Sequence, residues 1–316
     1  MRRALLVGID EYEQAPLQGC VEDAEAMERL LSRDHDGALN FDTMLLTSND
    51  ETVTRARLRE DIKSLFSDPA DVALLYFSGH GTENDLGGYL VTTDAHLYDE
   101  GVWLTEVLTY ANRARHVAEV VIILDSCHSG ALGAVPPVDN THASLREGLS
   151  ILTASRASQA ALVLGGKSVF TRLVCAGLAG GAADILGNVT VASIYAYVDQ
   201  ALGAWDQRPL FKSHVSRMLP LRRADPAIDV AILRRLPEWF ATADAELPLS
   251  PRHERTREPH DPEAEAVFRS LQLCNRVKLV EPVGKEDMYY AAVDGTGCRL
   301  TALGRHYWTL ANDRRI

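Results

Sequence analysis

A chain of 316 residues, 46% of them hydrophobic, can bury the core of one large domain or two unequal ones, which excludes a disordered polymer. Its formal net charge of −12 argues against a general nucleic-acid binder. Five widely spaced cysteines (Cys20, Cys127, Cys175, Cys274, Cys298) without a C-x-x-C pair argue against a disulfide framework and a structural zinc site. They suit a reducing compartment. The apolar run after Met1-Arg2-Arg3 is cut short by Asp10 and Glu11, too early for a signal peptide. No run approaches the ~18 apolar residues of a membrane span, so a soluble cytoplasmic protein without membrane contact is expected.

In chain order, Ala4–Ile9 reads as a buried strand. From Cys20, the apolar positions Val21, Ala24, Met27, Leu30 and Leu31 share one helical face. Phe41–Leu46 predicts a strand, Leu58–Phe66 an amphipathic helix, and Val72–Phe77 a third strand ending in Ser78-Gly79-His80-Gly81. After a Gly-rich turn come a short strand at Tyr89–Thr92 and a helix over Trp103–Ala114. Val120–Leu124 is a run of five branched apolar residues and predicts a strand buried on both faces. It ends in Asp125-Ser126-Cys127-His128-Ser129-Gly130.

Residues 131–147 lack periodicity, contain Pro136-Pro137, and read as a loop. Strands at Leu149–Thr153 and Leu210–Val215 and helices at Val169–Leu178 and Thr190–Leu202 follow. Strands alternating with helices predict an α/β domain with a mostly parallel sheet flanked by helices over 1–220. Residues 221–261 read as a linker, because 248–262 hold four prolines and many charges. Residues 262–316 predict a small α+β module: a helix at Ala264–Cys274, a β-like pair at Met288–Val293 and Cys298–Thr301, and a final helix. That order resembles a winged-helix module.

Two strands therefore end in chemically loaded tails, with His80 47 positions before Cys127. In parallel sheets, ligands bind beyond the carboxyl ends of the strands. A thiolate, not a thiol, attacks a carbonyl, and a nearby imidazole lowers the thiol pKa. The amides of Gly81 and Cys127 are candidate oxyanion donors.

Tyr76-Phe77-Ser78-Gly79-His80-Gly81 and Leu124-Asp125-Ser126-Cys127-His128-Ser129-Gly130 resemble the two signatures of caspase-like cysteine peptidases, in the metacaspase and prokaryotic branch. Their spacing agrees with the ~50 residues between the histidine and cysteine of caspases. Leu6–Asp10, Ser168–Thr171 and Gln207-Arg208-Pro209 also resemble that branch. The resemblance implies the caspase-haemoglobinase-like fold over 1–220. It implies a cysteine endopeptidase with Cys127 as nucleophile and His80 as base and acid.

The resemblance also implies a specificity. The place two residues before the cysteine holds Asp125, where animal caspases have glutamine. In metacaspases the matching acid lines the pocket for the residue before the scissile bond. Asp23, in Gly19-Cys20-Val21-Glu22-Asp23, and Ser78 are the other matches. Two carboxylates would hold the guanidinium or ammonium of a basic peptide substrate and repel aspartate.

Arg146 is the one basic residue of 131–147 and the candidate for self-cleavage. Glu83, Asp85 and Asp94 are too scattered for the six to eight oxygen ligands of calcium. No metal or cofactor is therefore assigned, and a calcium dependence has no support in the sequence. Residues 262–316 carry eight Lys/Arg against seven Asp/Glu, without the basic face of a DNA reader. A regulatory protein partner suits them better than nucleic acid. The resemblance further implies an effector in a stress or antiviral programme, as prokaryotic relatives with such appendages often are. The alternative is a non-catalytic caspase-like scaffold that binds basic peptides and signals through the C-terminal module.

Overall fold

The computed structural model describes residues 1–84, 87–96, 99–126, 145–154, 163–164, 167–202 and 209–316. The chain divides into two units, 1–183 with 187–225 and 184–186 with 226–316.

The first unit is built on a six-stranded sheet. Five strands are parallel: β1 (Arg2–Gly8), β2 (Asp42–Thr47), β3 (Ala70–Ser78), β7 (Val117–Asp125) and β8 (Leu149–Thr153). A smaller antiparallel sheet, β4 (Gly81–Asn84), β5 (Gly87–His96) and β6 (Asp99–Trp103), lies in the chain between β3 and β7. The sixth strand, β9 (Leu210–His214), pairs antiparallel with β8. The order across the main sheet is β9-β8-β7-β3-β1-β2.

The near-continuous apolar runs of β1, β3 and β7 follow from burial on both faces. Successive side chains alternate between the faces. Leu5, Val7, Leu75, Phe77, Ile122 and Leu124 enter one core, with Leu58 and Ile62 of α2 (Arg55–Ser67) and Val107 and Leu108 of α3 (Leu104–Arg113). Leu6, Leu74, Tyr76, Val121 and Ile123 enter the other. There they meet Met27 of α1 (Cys20–Leu31), Phe170 of α4 (Val169–Ala176) and Ile194 of α5 (Val191–Leu202). The expected mostly parallel α/β architecture is what forms.

Register fixes where the strands end. Gly8 lies opposite Ser78, and Ser78 lies opposite Asp125. The carboxyl ends of the three central strands are therefore level. Gly8 is needed for a close approach, since a Cβ there would lie 2.5 Å from the Cys20 carbonyl oxygen. The start of α1 is thus pressed against the end of β1. Gly19 precedes that helix at φ 94° and supplies no capping side chain. Asp10 caps it instead, its carboxylate accepting from Cys20 N (2.9 Å) and Val21 N (3.2 Å).

The second unit departs from expectation twice. The 221–261 segment is not a bare linker. It contributes helices Val230–Arg234 and Leu236–Trp239 and strand Glu246–Pro248, and it buries Ile228, Leu233, Leu236, Phe240 and Leu249. The indole of Trp308 donates to the Phe240 carbonyl at 2.9 Å. The prolines that suggested a linker sit around these apolar anchors.

The expected strand at Met288–Val293 is a helix, capped by Asp287 through Tyr290 N at 2.9 Å. Met288, Ala291 and Ala292 are buried at helical spacing. Val280–Val283, Gly297–Leu300 and Glu246–Pro248 form a three-stranded antiparallel sheet with Gly297–Leu300 in the centre. Helices Pro262–Arg276 and Ala302–Asn312 complete the unit. The helix, hairpin, helix order on which the winged-helix resemblance rests is therefore not the order that forms.

Candidate active site

His80 stands two residues beyond the end of β3, and Cys127 stands two residues beyond the end of its direct neighbour β7. Cys127 itself, as nucleophile and as oxyanion donor, lies outside the described residues, as do 128–144, Asp85 and Gln207-Arg208.

The half-buried His80 ring is held on two sides. Nε2 is 2.7 Å from the Ala15 carbonyl oxygen, which can only accept, so Nε2 carries the proton of the neutral ring. Nδ1 is then the basic nitrogen. The Tyr12 ring packs against the imidazole at 4.6 Å between centroids. Neither Ala15 nor Tyr12 was legible as a partner in the sequence, because a backbone carbonyl and a loop tyrosine have no motif.

Gly81 pairs with Leu90 across β4 and β5, and Val91 N donates to the His80 carbonyl at 3.0 Å. The hydrogen-bonding position of this ladder is therefore His80–Val91. Gly81–Leu90 is the non-bonded pair that follows, with the Gly81 N–H directed away from β5. An amide so directed is suited to an oxyanion.

The three specificity candidates are all buried: Asp23 and Asp125 at 5% exposure and Ser78 at 2%. Asp125 accepts from Thr171 Oγ1 at 2.6 Å, and Ser168 also hydrogen-bonds to it. Tyr76 Oη lies 2.6 Å from the same Thr171 oxygen. Thr171 has one hydroxyl hydrogen, given to Asp125, so Tyr76 donates to Thr171. Burial pushes the Asp125 carboxyl up from its ordinary range, and the Ser168 and Thr171 donors oppose the rise. Ser78 hydrogen-bonds to the Cys20 thiol. Asp23 and Asp125 both exert their charge on Tyr76 and Cys175, so the strand-end acid and the helix acid converge on one neighbourhood. Thr171 and Asp23 line an adjoining cavity of about 470 Å³ with Glu22, Glu25, Arg29 and Cys175. The sequence suggested Asp23 for this region but not Glu22 or Glu25. In the sequence Ser168 and Thr171 carry only a family resemblance.

Burial raises the thiols of Cys20, Cys175, Cys274 and Cys298 to about 12. Each is protonated at neutral pH, so none of these four is a ready nucleophile.

Arg146 does not sit as a free loop cation. Its guanidinium donates to the carbonyls of Ala111 (3.0 Å), Val117 (3.0 Å) and Glu147 (2.8 Å), and its own N–H donates to Asn112 Oδ1 (2.9 Å). Scission after Arg146 would require these contacts to be released. Asp94 caps α2 by accepting from Arg55 N at 2.9 Å. Among the described residues, no group of three or more His, Cys, Asp or Glu side chains could hold a metal ion, and no helix is long and apolar enough to cross a membrane.

The family described as "Caspase domain" matches residues 1–220. Metacaspase-1A of Aspergillus fumigatus is 28% identical over 170 residues, covering 46% of this chain and 39% of the relative. Metacaspase-1 of Schizosaccharomyces pombe is 28% identical over 202 residues, covering 54% and 46%. The chain thus spans less than half the length of these curated relatives. Among solved structures, protein GSU0716 from Geobacter sulfurreducens superposes with a TM-score of 0.50 at 16% identity, over 71% of this chain and 100% of that one, a likeness of fold alone. The level strand ends, the oriented histidine and the match over 1–220 lead to one assignment: the chain belongs to the caspase domain family of cysteine peptidases.

Proposed function

We propose that this protein is an endopeptidase that cleaves after arginine or lysine, with Cys127 as nucleophile and His80 as base and acid. The observation that carries the reading is the orientation of His80. Its Nε2 is engaged by a carbonyl, and its Nδ1 is left basic at the level strand ends beside β7. The four described thiols held protonated by burial support Cys127 by exclusion.

In this mechanism Nδ1 takes the thiol proton, and the thiolate attacks the scissile carbonyl. The amides of Gly81 and Cys127 receive the developing oxyanion. The imidazolium then protonates the leaving amine as the C–N bond breaks. Water, deprotonated by the same nitrogen, hydrolyses the thioester and restores the thiol. Asp23, Asp125 and Ser78 would bind the substrate's cationic side chain. Buried carboxylates strengthen such a contact, and an aspartate side chain would be repelled.

A cytoplasmic setting fits the dispersed cysteines, of which the four described are free thiols. The C-terminal unit, near charge balance over 262–316, suits a regulatory protein partner, in keeping with an effector in a prokaryotic stress or antiviral programme. The test compares wild type, His80→Ala and Cys127→Ala on peptides with Arg, Lys or Asp before the scissile bond. Turnover of Arg and Lys peptides, lost in both variants, is expected. Efficient cleavage after Asp would overturn the specificity. Binding of Arg peptides without turnover would favour the scaffold instead.

A further inference from the structure

The loop between β1 and α1 holds a residue with no part in the motifs. Tyr12 is 8% exposed, and its hydroxyl lies between two backbone groups. It accepts from His80 N at 3.0 Å and donates to the Val91 carbonyl at 3.2 Å. These groups belong to the bonding pair of the β4–β5 ladder, where His80 N would ordinarily meet Val91 O directly. One side of that pair is intact, with Val91 N donating to His80 O at 3.0 Å. The other side is bridged by the tyrosine.

The hydroxyl therefore spaces the His80 backbone from β5 while its ring packs on the imidazole. Burial pushes the phenol above its ordinary value, so it remains a donor at physiological pH. The loop is itself tied down. Asp10 N and Glu11 N donate to Ser48 Oγ at 3.0 and 3.2 Å, and Tyr12 N and Leu17 N donate to the Asp10 carbonyl at 3.1 and 2.8 Å. The same loop presents the Ala15 carbonyl to Nε2. Gly79 completes the arrangement, because a Cβ there would lie 2.5 Å from the Tyr12 hydroxyl. The glycine before the histidine leaves room for that hydroxyl.

We infer that Tyr12 is a positioning residue for the base, setting the backbone of His80 through its hydroxyl and the imidazole plane through its ring. The inference rests on the reading of His80 as the base. Tyr12→Phe keeps the ring and removes the bridge. His80 N and Val91 O can then close on each other, moving both His80 and the neighbouring Gly81 amide.

The test uses the full chain. Tyr12→Phe is expected to lower kcat about 10-fold with KM changed less than about two-fold, the pattern of a misplaced catalytic group. Alkylation of Cys127 by iodoacetamide supplies a readout that general loosening would not move. Its pH profile should shift upward, toward the ~8.5 of a free thiol, as the imidazole leaves its position. Cys274 and Cys298 are buried, Cys20 and Cys175 are partly so, and all four thiols are protonated at neutral pH, which leaves that signal to Cys127. Gly79→Ala should reproduce both effects by displacing the hydroxyl, and in the Tyr12→Phe background it should cost less than in wild type. If Tyr12→Phe melts below the assay temperature, Gly79→Ala carries the test alone, since it reaches the same hydroxyl from the other side. Wild-type kcat and an unshifted alkylation profile in a folded Tyr12→Phe protein would overturn the inference. Full activity of His80→Ala would overturn the reading beneath it instead.

Discussion

Strand β7 carries a buried acid toward each end, and the two are treated differently. Asp125, at the carboxyl end, receives hydrogen bonds from Thr171 and Ser168, and Thr171 is itself held by Tyr76. Glu119, near the amino end and 2% exposed, accepts from Leu219 N at 2.7 Å through Oε2, while its Oε1 has no hydrogen-bond partner among the described residues. Burial raises both carboxyls above their ordinary range. The difference teaches what each end is for. Glu119 ties down the chain after β9. Asp125 is aimed by a relay of hydroxyls, the arrangement expected of a group that must meet a ligand in one geometry.

The largest effect that would break this comparison is at Asp125. Asp125→Asn should lower kcat/KM for Arg peptides about 100-fold or more, through loss of a charge-assisted contact. Its stability should move the other way. The native carboxyl holds its proton to higher pH than the unfolded chain does. Wild-type stability therefore falls as pH rises from the ordinary carboxylate range through the raised native value. Asn removes that penalty, so the variant should melt higher than wild type at neutral pH and lose the advantage in acid. Equal or better Arg cleavage by Asp125→Asn would remove Asp125 from the pocket.

Thr171→Val sharpens the same point. Losing one donor to a carboxylate should cost about 10-fold in kcat/KM. The carboxyl would then rise further, so KM for Arg peptides should begin its acid-side increase at higher pH than in wild type. A pH–KM profile that superposes on wild type would refute the relay.

The amino end should respond in stability alone. Arg146→Ala removes three donors to backbone carbonyls and should cost about 2 kcal/mol in denaturant unfolding with activity kept. Loss of a self-cleavage band in this otherwise active variant would restore Arg146 as a processing site. Glu119→Gln is the smallest change. It keeps the acceptor for Leu219 and removes a charge disfavoured by burial. A gain of about 1 kcal/mol at neutral pH, fading in acid, is expected.

Legibility followed the range of the forces involved. The main-sheet strands of the first unit are readable because burial on two faces writes an unbroken apolar run into each central strand, whereas β4 and β6 of the small antiparallel sheet carry no such run and are not legible in the sequence. Residues 226–316 are hard to read from the sequence at two points. Pro248, Pro251, Pro259 and Pro262 obscured the apolar anchors around them, and Met288–Val293 is as apolar as a short strand. Only the cap at Asp287 and the burial of Met288, Ala291 and Ala292 make it a helix. Short apolar segments take their form from what they pack against.

The sequence by itself determined the order of the main-sheet strands and their flanking helices over 1–220 and set a histidine tail and a cysteine tail after two of those strands, while its resemblance to a family singled out Asp23 and Asp125. Those depend on residue identity and local spacing. The tertiary structure decided which nitrogen of His80 is basic, through the Ala15 carbonyl, and which hydroxyls aim Asp125. It also assigned Arg146 to holding backbone carbonyls. The contacts that decide these points join residues far apart in the chain: His80 to Ala15, Thr171 to Asp125, and Arg146 to Ala111 and Val117.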